Sequence, residues 1–155
     1  MLMAAVDLTI SPDGLNVYVV GASEGKPAVV TFVRSGTSNL SALPRPMGCL
    51  VPVGSARNCR HAPGLASYGG EPTWGPNHGL AVSPDGRSVH LAVGASVIAF
   101  ARDQQTNGAL LETADAPVPR RAIGLALSPD GRFLYATNDD GLNGSDSIFG
   151  YRVTP

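Results

Sequence analysis

Residues 77 to 113 read NHGLAVSPDGRSVHLAVGASVIAFARDQQTNGALLET, and their centre, Ser83-Pro84-Asp85-Gly86, sets the reading of the whole chain. The same tetrapeptide stands at Ser11 to Gly14 and at Ser128 to Gly131. Alternating apolar residues precede each copy: Leu8 and Ile10, Leu80 and Val82, Leu125 and Leu127. Two residues after each copy comes a β-rich run: Val17-Tyr18-Val19, Val89-His90-Leu91, Leu134-Tyr135-Ala136. An apolar pair and an aromatic residue follow: Val29-Val30 with Phe32, Val97-Ile98 with Phe100, Ile148-Phe149 with Tyr151.

Proline fixes φ near −65° at the second position of a tight turn, Asp tolerates the conformation that follows, and Gly takes positive φ without steric cost. Two period-2 apolar runs joined by such a turn form a β-hairpin of pinned register. In the middle copy, strands are expected at about 79–83, 88–93, 96–102 and 109–114. The second and third copies begin 45 residues apart. Four antiparallel strands at that period describe a β-propeller blade. The chain is therefore read as all-β, a partial β-propeller of about three four-stranded antiparallel blades with the third incomplete. The expected boundaries are about 5–43 for the first blade, 79–116 for the second and 121–155 for the third, with a Pro/Gly/Cys loop at about 44–78.

Composition agrees with many short strands and tight turns. Of 155 residues, 15% are charged, 19 are Gly and 13 are Pro. The net charge is −1 and the basic residues are scattered, which points away from a nucleic-acid partner. No stretch approaches the roughly 20 apolar residues of a membrane-crossing helix. Scarce Lys among abundant Arg, Ala, Gly and Pro fits a GC-rich bacterial genome. Met1 to Val6 lacks the basic region of a signal peptide, and both ends read as cut from a longer repeat array.

Within the first unit, Gly21-Ala22-Ser23-Glu24-Gly25 matches the G-x-S-x-G pattern of a hydrolase nucleophile elbow. That motif needs a strand turning into a helix. Lys26-Pro27 and a β-branched run follow instead, so Ser23 is expected in a hairpin. Residues 44 to 78 then interrupt the repeat and hold both cysteines, Cys49 and Cys59. A disulfide between them is the favoured reading and would stabilise by about 2–3 kcal/mol in an oxidising compartment, extracellular or periplasmic. Two free thiols are the bland alternative. A metal site with His61 and His78 lacks any standard ligand spacing, so neither metal nor cofactor is expected.

The remaining site candidates lie at the unit boundaries. Trp74, between Pro72 and Pro76, would pack its loop onto a blade or stack on a sugar ring. Asn77 and His78 precede the first strand of the second unit, where the rim of a propeller channel binds ligands. His90 occupies the place of Tyr18 and Tyr135 and reads as packing with a polar tip. Arg120 and Arg121 open the third unit and offer an anion contact. Residues 138 to 146 are rich in Asn, Asp and Gly but lack the acidic twelfth position of an EF-hand, so a flexible turn is expected there.

From SPDG through Phe100-Ala101-Arg102-Asp103 to Thr106-Asn107-Gly108-Ala109-Leu110, the repeats resemble the lactonase-type, or YVTN-repeat, seven-bladed β-propellers. Gly48-Cys49…Cys59 followed by Pro76-Asn77-His78-Gly79-Leu80-Ala81-Val82-Ser83 resembles an arrangement found in bacterial members. The resemblance covers nearly the whole chain and implies a propeller fold. It carries no catalytic residue over, because its motif builds turns. Two functions are thus open. The first is a non-catalytic binding or scaffold module, whose partners are further blades from the same or another chain and a small sugar-like ligand. The alternative is a sugar-lactone hydrolase, with Asp7, His78 and Arg121 as base, orienter and anion contact.

Overall fold

The computed structural model describes residues 4–23, 25–37, 39–55, 58–67, 79–118, 122–138 and 147–153. Their strands fall into three sheets. Sheet 1 contains β1 (Ala4–Ile10), β2 (Asn16–Ser23), β3 (Lys26–Ser35), β4 (Asn39–Ala42), β5 (Cys49–Val51) and β6 (Arg60–His61). Sheet 2 is β7 (Leu80–Val82), β8 (Ser88–Val93), β9 (Ser96–Asp103) and β10 (Ala109–Pro117). Sheet 3 is β11 (Ala122–Leu127), β12 (Phe133–Asn138) and β13 (Ser147–Arg152). Sequential strands pair antiparallel within each repeat. The fold is a partial β-propeller.

The three SPDG turns share one construction. Gly14, Gly86 and Gly131 take φ of 70°, 70° and 71°. In each turn the Ser hydroxyl donates to the Asp carboxylate, at 2.5, 2.6 and 2.5 Å. The same Asp oxygen accepts the amide two residues on, at 3.0 Å in all three. The Ser oxygen accepts the amide five residues on, from Asn16, Ser88 or Phe133. Ser and Asp thereby satisfy the donors that a tight turn exposes.

The cysteine-bearing segment is less loose than its composition suggests. β3 is ten residues long but β4 covers only Phe32 to Ser35, leaving the first half of that edge unpaired. β5 pairs there with Val29 and Val30, and β6 pairs with β5 in parallel. An open strand edge is a row of unsatisfied amides and carbonyls, so the insertion finishes the sheet that β4 leaves short. Cys49 and Cys59 are bonded, with S–S 2.00 Å and Cα–Cα 5.1 Å, which ties β5 to the approach to β6. A 3₁₀ turn (Pro63–Ser67) then reaches the second sheet. There the Gly64 amide donates to both Glu112 oxygens, at 3.0 and 3.2 Å, and Leu65 is fully buried.

Two cores result. Between sheets 1 and 2 lie Tyr18, Val20 and Val29 with Val89, Leu91, Ile98 and Phe100, closed by Leu50, Ala62 and Leu65. Between sheets 2 and 3 lie Ala92, Val97 and Val118 with Ala122, Leu134 and Ala136. Burial follows this stacking. Five of the six residues of β8 are buried, whereas β12 alternates strictly between exposed and buried. Sheet 2 is covered on both faces and sheet 3 on one.

Candidate functional site

The first strands of the sheets, β1, β7 and β11, lie side by side and form the inner edge of the propeller. Asp7 stands on β1 just after a register shift between Ala5 and Asp7. Such irregularities re-aim a side chain without ending the strand. One Asp7 oxygen accepts the Leu8 amide at 2.8 Å, and the other accepts the Leu80 amide at 2.9 Å. The half-buried carboxylate thus ties β1 to β7. Next to it, β7 and β11 approach so closely that a Cβ on Gly79 would stand 2.5 Å from the Leu125 nitrogen. Only glycine allows that approach.

Asp7 is the one sequence-predicted catalytic candidate among the described residues. His78 and Arg121 lie outside them, as do the ligand candidates Trp74, Asn77 and Arg120. Residues 139–146 of the Asn/Asp-rich stretch also lie outside, while Asn138 accepts the Ser147 amide at 2.7 Å. Ser23 pairs with Lys26 at the end of the β2–β3 hairpin, with no helix following, so it has none of the setting of a nucleophile elbow. The bonded cysteines offer no thiolate to a metal. No group of three or more His, Cys, Asp or Glu able to hold a metal occurs among the described residues.

At the opposite end of the strands, beside the SPDG turns, is a polar cluster whose role sequence reasoning missed. Arg102, with a side chain only 1% exposed, spans the first two sheets. Its Nη2 donates to Asp13 Oδ2 at 2.7 Å and to Asn16 Oδ1 at 2.6 Å, and its Nε to the same Asn16 oxygen at 3.2 Å. Its Nη1 donates to the Gly86 carbonyl at 3.0 Å. Asn16 Nδ2 in turn donates to the Asn107 carbonyl at 2.7 Å, and the Tyr18 hydroxyl to that of Gly108 at 3.0 Å. Burial pushes the Asp13 carboxyl up, but the Ser11 hydroxyl, the Leu15 amide and Arg102 outweigh it, and its pKa falls to about 2. Burial pushes the Tyr18 phenol up to about 12. All three nitrogens of Arg102 are engaged, so the cluster clamps two sheets together. The available signal was Phe-x-Arg, at Phe100 to Arg102 and again at Phe32 to Arg34.

Two cavities accompany these features. A polar cleft of about 210 Å³ borders the clamp at Asp13, Asn16, Arg34 and Arg102. An apolar groove of about 600 Å³ runs over the open face of sheet 1, lined by Leu8, Val19, Val30, Phe32 and Leu43.

No protein-family model matches the chain, and no curated protein matches it in sequence. Solved structures do match in fold. One is a protein from Bacteroides fragilis described as a 6-phosphogluconolactonase, with 17% identity and a TM-score of 0.58. Another is the periplasmic gluconolactonase of Pseudomonas aeruginosa, with 20% identity and a TM-score of 0.57. A third is the hydrazine synthase of Kuenenia stuttgartiensis, with 18% identity and a TM-score of 0.57. The alignments cover 96%, 97% and 97% of this chain but 39%, 40% and 45% of those structures, respectively. The chain thus spans less than half of their length, and at these identities the likeness establishes the propeller fold alone.

Proposed function

We propose that the chain forms part of a propeller hydrolase that opens a sugar lactone, with Asp7 at the channel mouth as the water-activating carboxylate. The observation that carries this reading is the position of Asp7, half-buried on the inner edge and held by the Leu8 and Leu80 amides. The likeness in fold to two proteins named for gluconolactone hydrolysis supports it. Each carboxylate oxygen has a second lone-pair site beyond its amide contact. A water proton passes to that site as the water oxygen bonds to the lactone carbonyl carbon. The ring C–O bond then breaks and the proton returns to the ring oxygen, giving the open hydroxy acid. The residue candidates His78 and Arg121 would orient the water and hold the acid group.

A second reading, a non-catalytic binding or scaffold module, rests on the same two amide contacts, since a carboxylate that ties two strands already has a structural role. Acid release from glucono-1,5-lactone, followed by pH-stat between pH 6 and 8, separates the two. The hydrolase reading expects ring opening above the spontaneous rate, with kcat falling by about 10²-fold or more in Asp7→Asn. It also expects a loss in His78→Ala. A wild-type rate equal to the spontaneous one ends the hydrolase reading and leaves the binding module.

A further inference from the structure

The contact between sheets 1 and 2 is a template for a contact that neither outer sheet makes. Sheet 1 contributes Tyr18, Val20 and Val29, and sheet 2 receives them on Val89, Leu91, Ile98 and Phe100. Strand pairing locates the equivalents. Val89–Phe100 and Leu91–Ile98 of sheet 2 correspond to Val17–Phe32 and Val19–Val30 of sheet 1. Of these receiving residues Val19, Val30 and Phe32 line the apolar groove, and Val17 is buried beside it. Leu80 in sheet 2 is 8% exposed under its partner; its equivalent Leu8 is 58% exposed. On the donating side, Tyr18–Thr31 and Val20–Val29 correspond to Tyr135–Gly150 and Thr137–Ile148 of sheet 3. Val29 is 1% exposed, whereas Ile148 is 71% exposed. Sheet 1 therefore leaves the receiving half of the template open, and sheet 3 the donating half.

The charged clamp is divided the same way. Arg34 repeats Arg102: each backbone amide donates to the residue after its SPDG turn, and each Nη1 donates to the turn glycine, Gly14 or Gly86. Arg102 also reaches the Asp13 of the preceding sheet, a contact with no counterpart for Arg34 among the described residues. The Asp13 equivalent on sheet 3 is Asp130, whose outer oxygen accepts from the exposed Arg132 side chain. Such an exposed pair contributes little and yields readily to a better one.

We propose that the open face of sheet 1 is a docking surface for the open face of sheet 3 of a second copy of this chain, head to tail. Tyr135 and Ile148 enter the apolar groove and Arg34 pairs with Asp130 of the other copy. Because the two faces differ, the contact is heterologous, and two copies supply six sheets, within the roughly 4–8 of closed propellers.

Mass against concentration, by sedimentation equilibrium on the full chain, tests this through two exposed positions. Wild type is expected to associate, while Leu8→Glu and Ile148→Glu each remain monomeric. A mixture of the two variants recovers a heterodimer, because one keeps its sheet 3 face and the other its sheet 1 face. Arg34→Glu is expected to weaken association at least tenfold, and Arg34→Lys, which keeps the charge, to weaken it less. A wild type monomeric at every concentration overturns the proposal. So does association of either Glu variant alone, which would mean a symmetric contact through one face.

Discussion

The two sheet–sheet contacts repeat one backbone arrangement with different chemistry. At the first, Arg102 reaches Asp13 and Asn16 across the gap. At the second, the position of Arg102 is taken by Val153, whose amide donates to the Arg132 carbonyl as that of Arg102 donates to Arg87. The position of Asn16 is taken by Ser88. Large residues fill the first core and three alanines, Ala92, Ala122 and Ala136, thin out the second. Stacking of blades thus needs apolar contact, while the buried clamp is an addition confined to one contact. A buried ion pair is costly to desolvate, and its loss is severe chiefly because the abandoned partner stays buried.

Giving the first contact the chemistry of the second breaks the difference most directly. Arg102→Val is expected to destabilise by about 3–5 kcal/mol, since Asn16 and the Gly86 carbonyl lose their donor. Adding Asn16→Ser, which copies the Ser88–Val153 pair, recovers a large part of that loss. Urea midpoints of the single and double variants measure both. A double variant no better than the single would show that the polar clamp is required at this contact.

The disulfide affects the same contact from its outer end, because β5 and residues 62–67 supply Leu50, Ala62 and Leu65 to the first core. Removing it as Cys49→Ala/Cys59→Ala is expected to cost about 2–3 kcal/mol by chain entropy. Hydrogen exchange should rise in β5 and β6 and stay unchanged in sheet 3. Equal deprotection of all three sheets would contradict that division.

The smallest effect belongs to the second contact. His90 is 5% exposed, on the side of sheet 2 toward sheet 3, with Nε2 3.0 Å from the Ser88 hydroxyl. Burial pushes its imidazole pKa down. The unfolded chain therefore takes up the proton first, so this stability is full above the unfolded value near 6.5 and falls as pH drops below it. Asp13, with its lowered carboxyl, acts in a separate window, losing its contribution only as pH falls from 3.8 toward about 2. Thermal midpoints between pH 7.5 and 5 should decline, and His90→Tyr, the residue of the other two sheets, should flatten the decline. An unchanged slope would remove His90 as its source.

Much of the propeller was legible in the residues because its signals are local. Pro and Gly fix turn dihedrals, and period-2 apolar runs fix which face a strand buries, so the SPDG copies located the hairpins. Local pattern also identified the place of His90 beside Tyr18 and Tyr135. The clamp was not legible. Arg102 lies 89 residues from Asp13, and nothing in a Phe-x-Arg run says that its charge turns inward to the preceding sheet. Likewise, Pro and Gly density announced a loop at 44–78 but could not show that β3 outruns β4 and leaves an edge for β5. Asp7 was readable as a carboxylate on an inner strand, whereas its bond to Leu80 depends on how two sheets meet. By itself the sequence determined dihedrals and periodicity, which act within a few residues. Only the tertiary structure decided which buried polar groups find one another, because those partners are set by the stacking of sheets far apart in the chain.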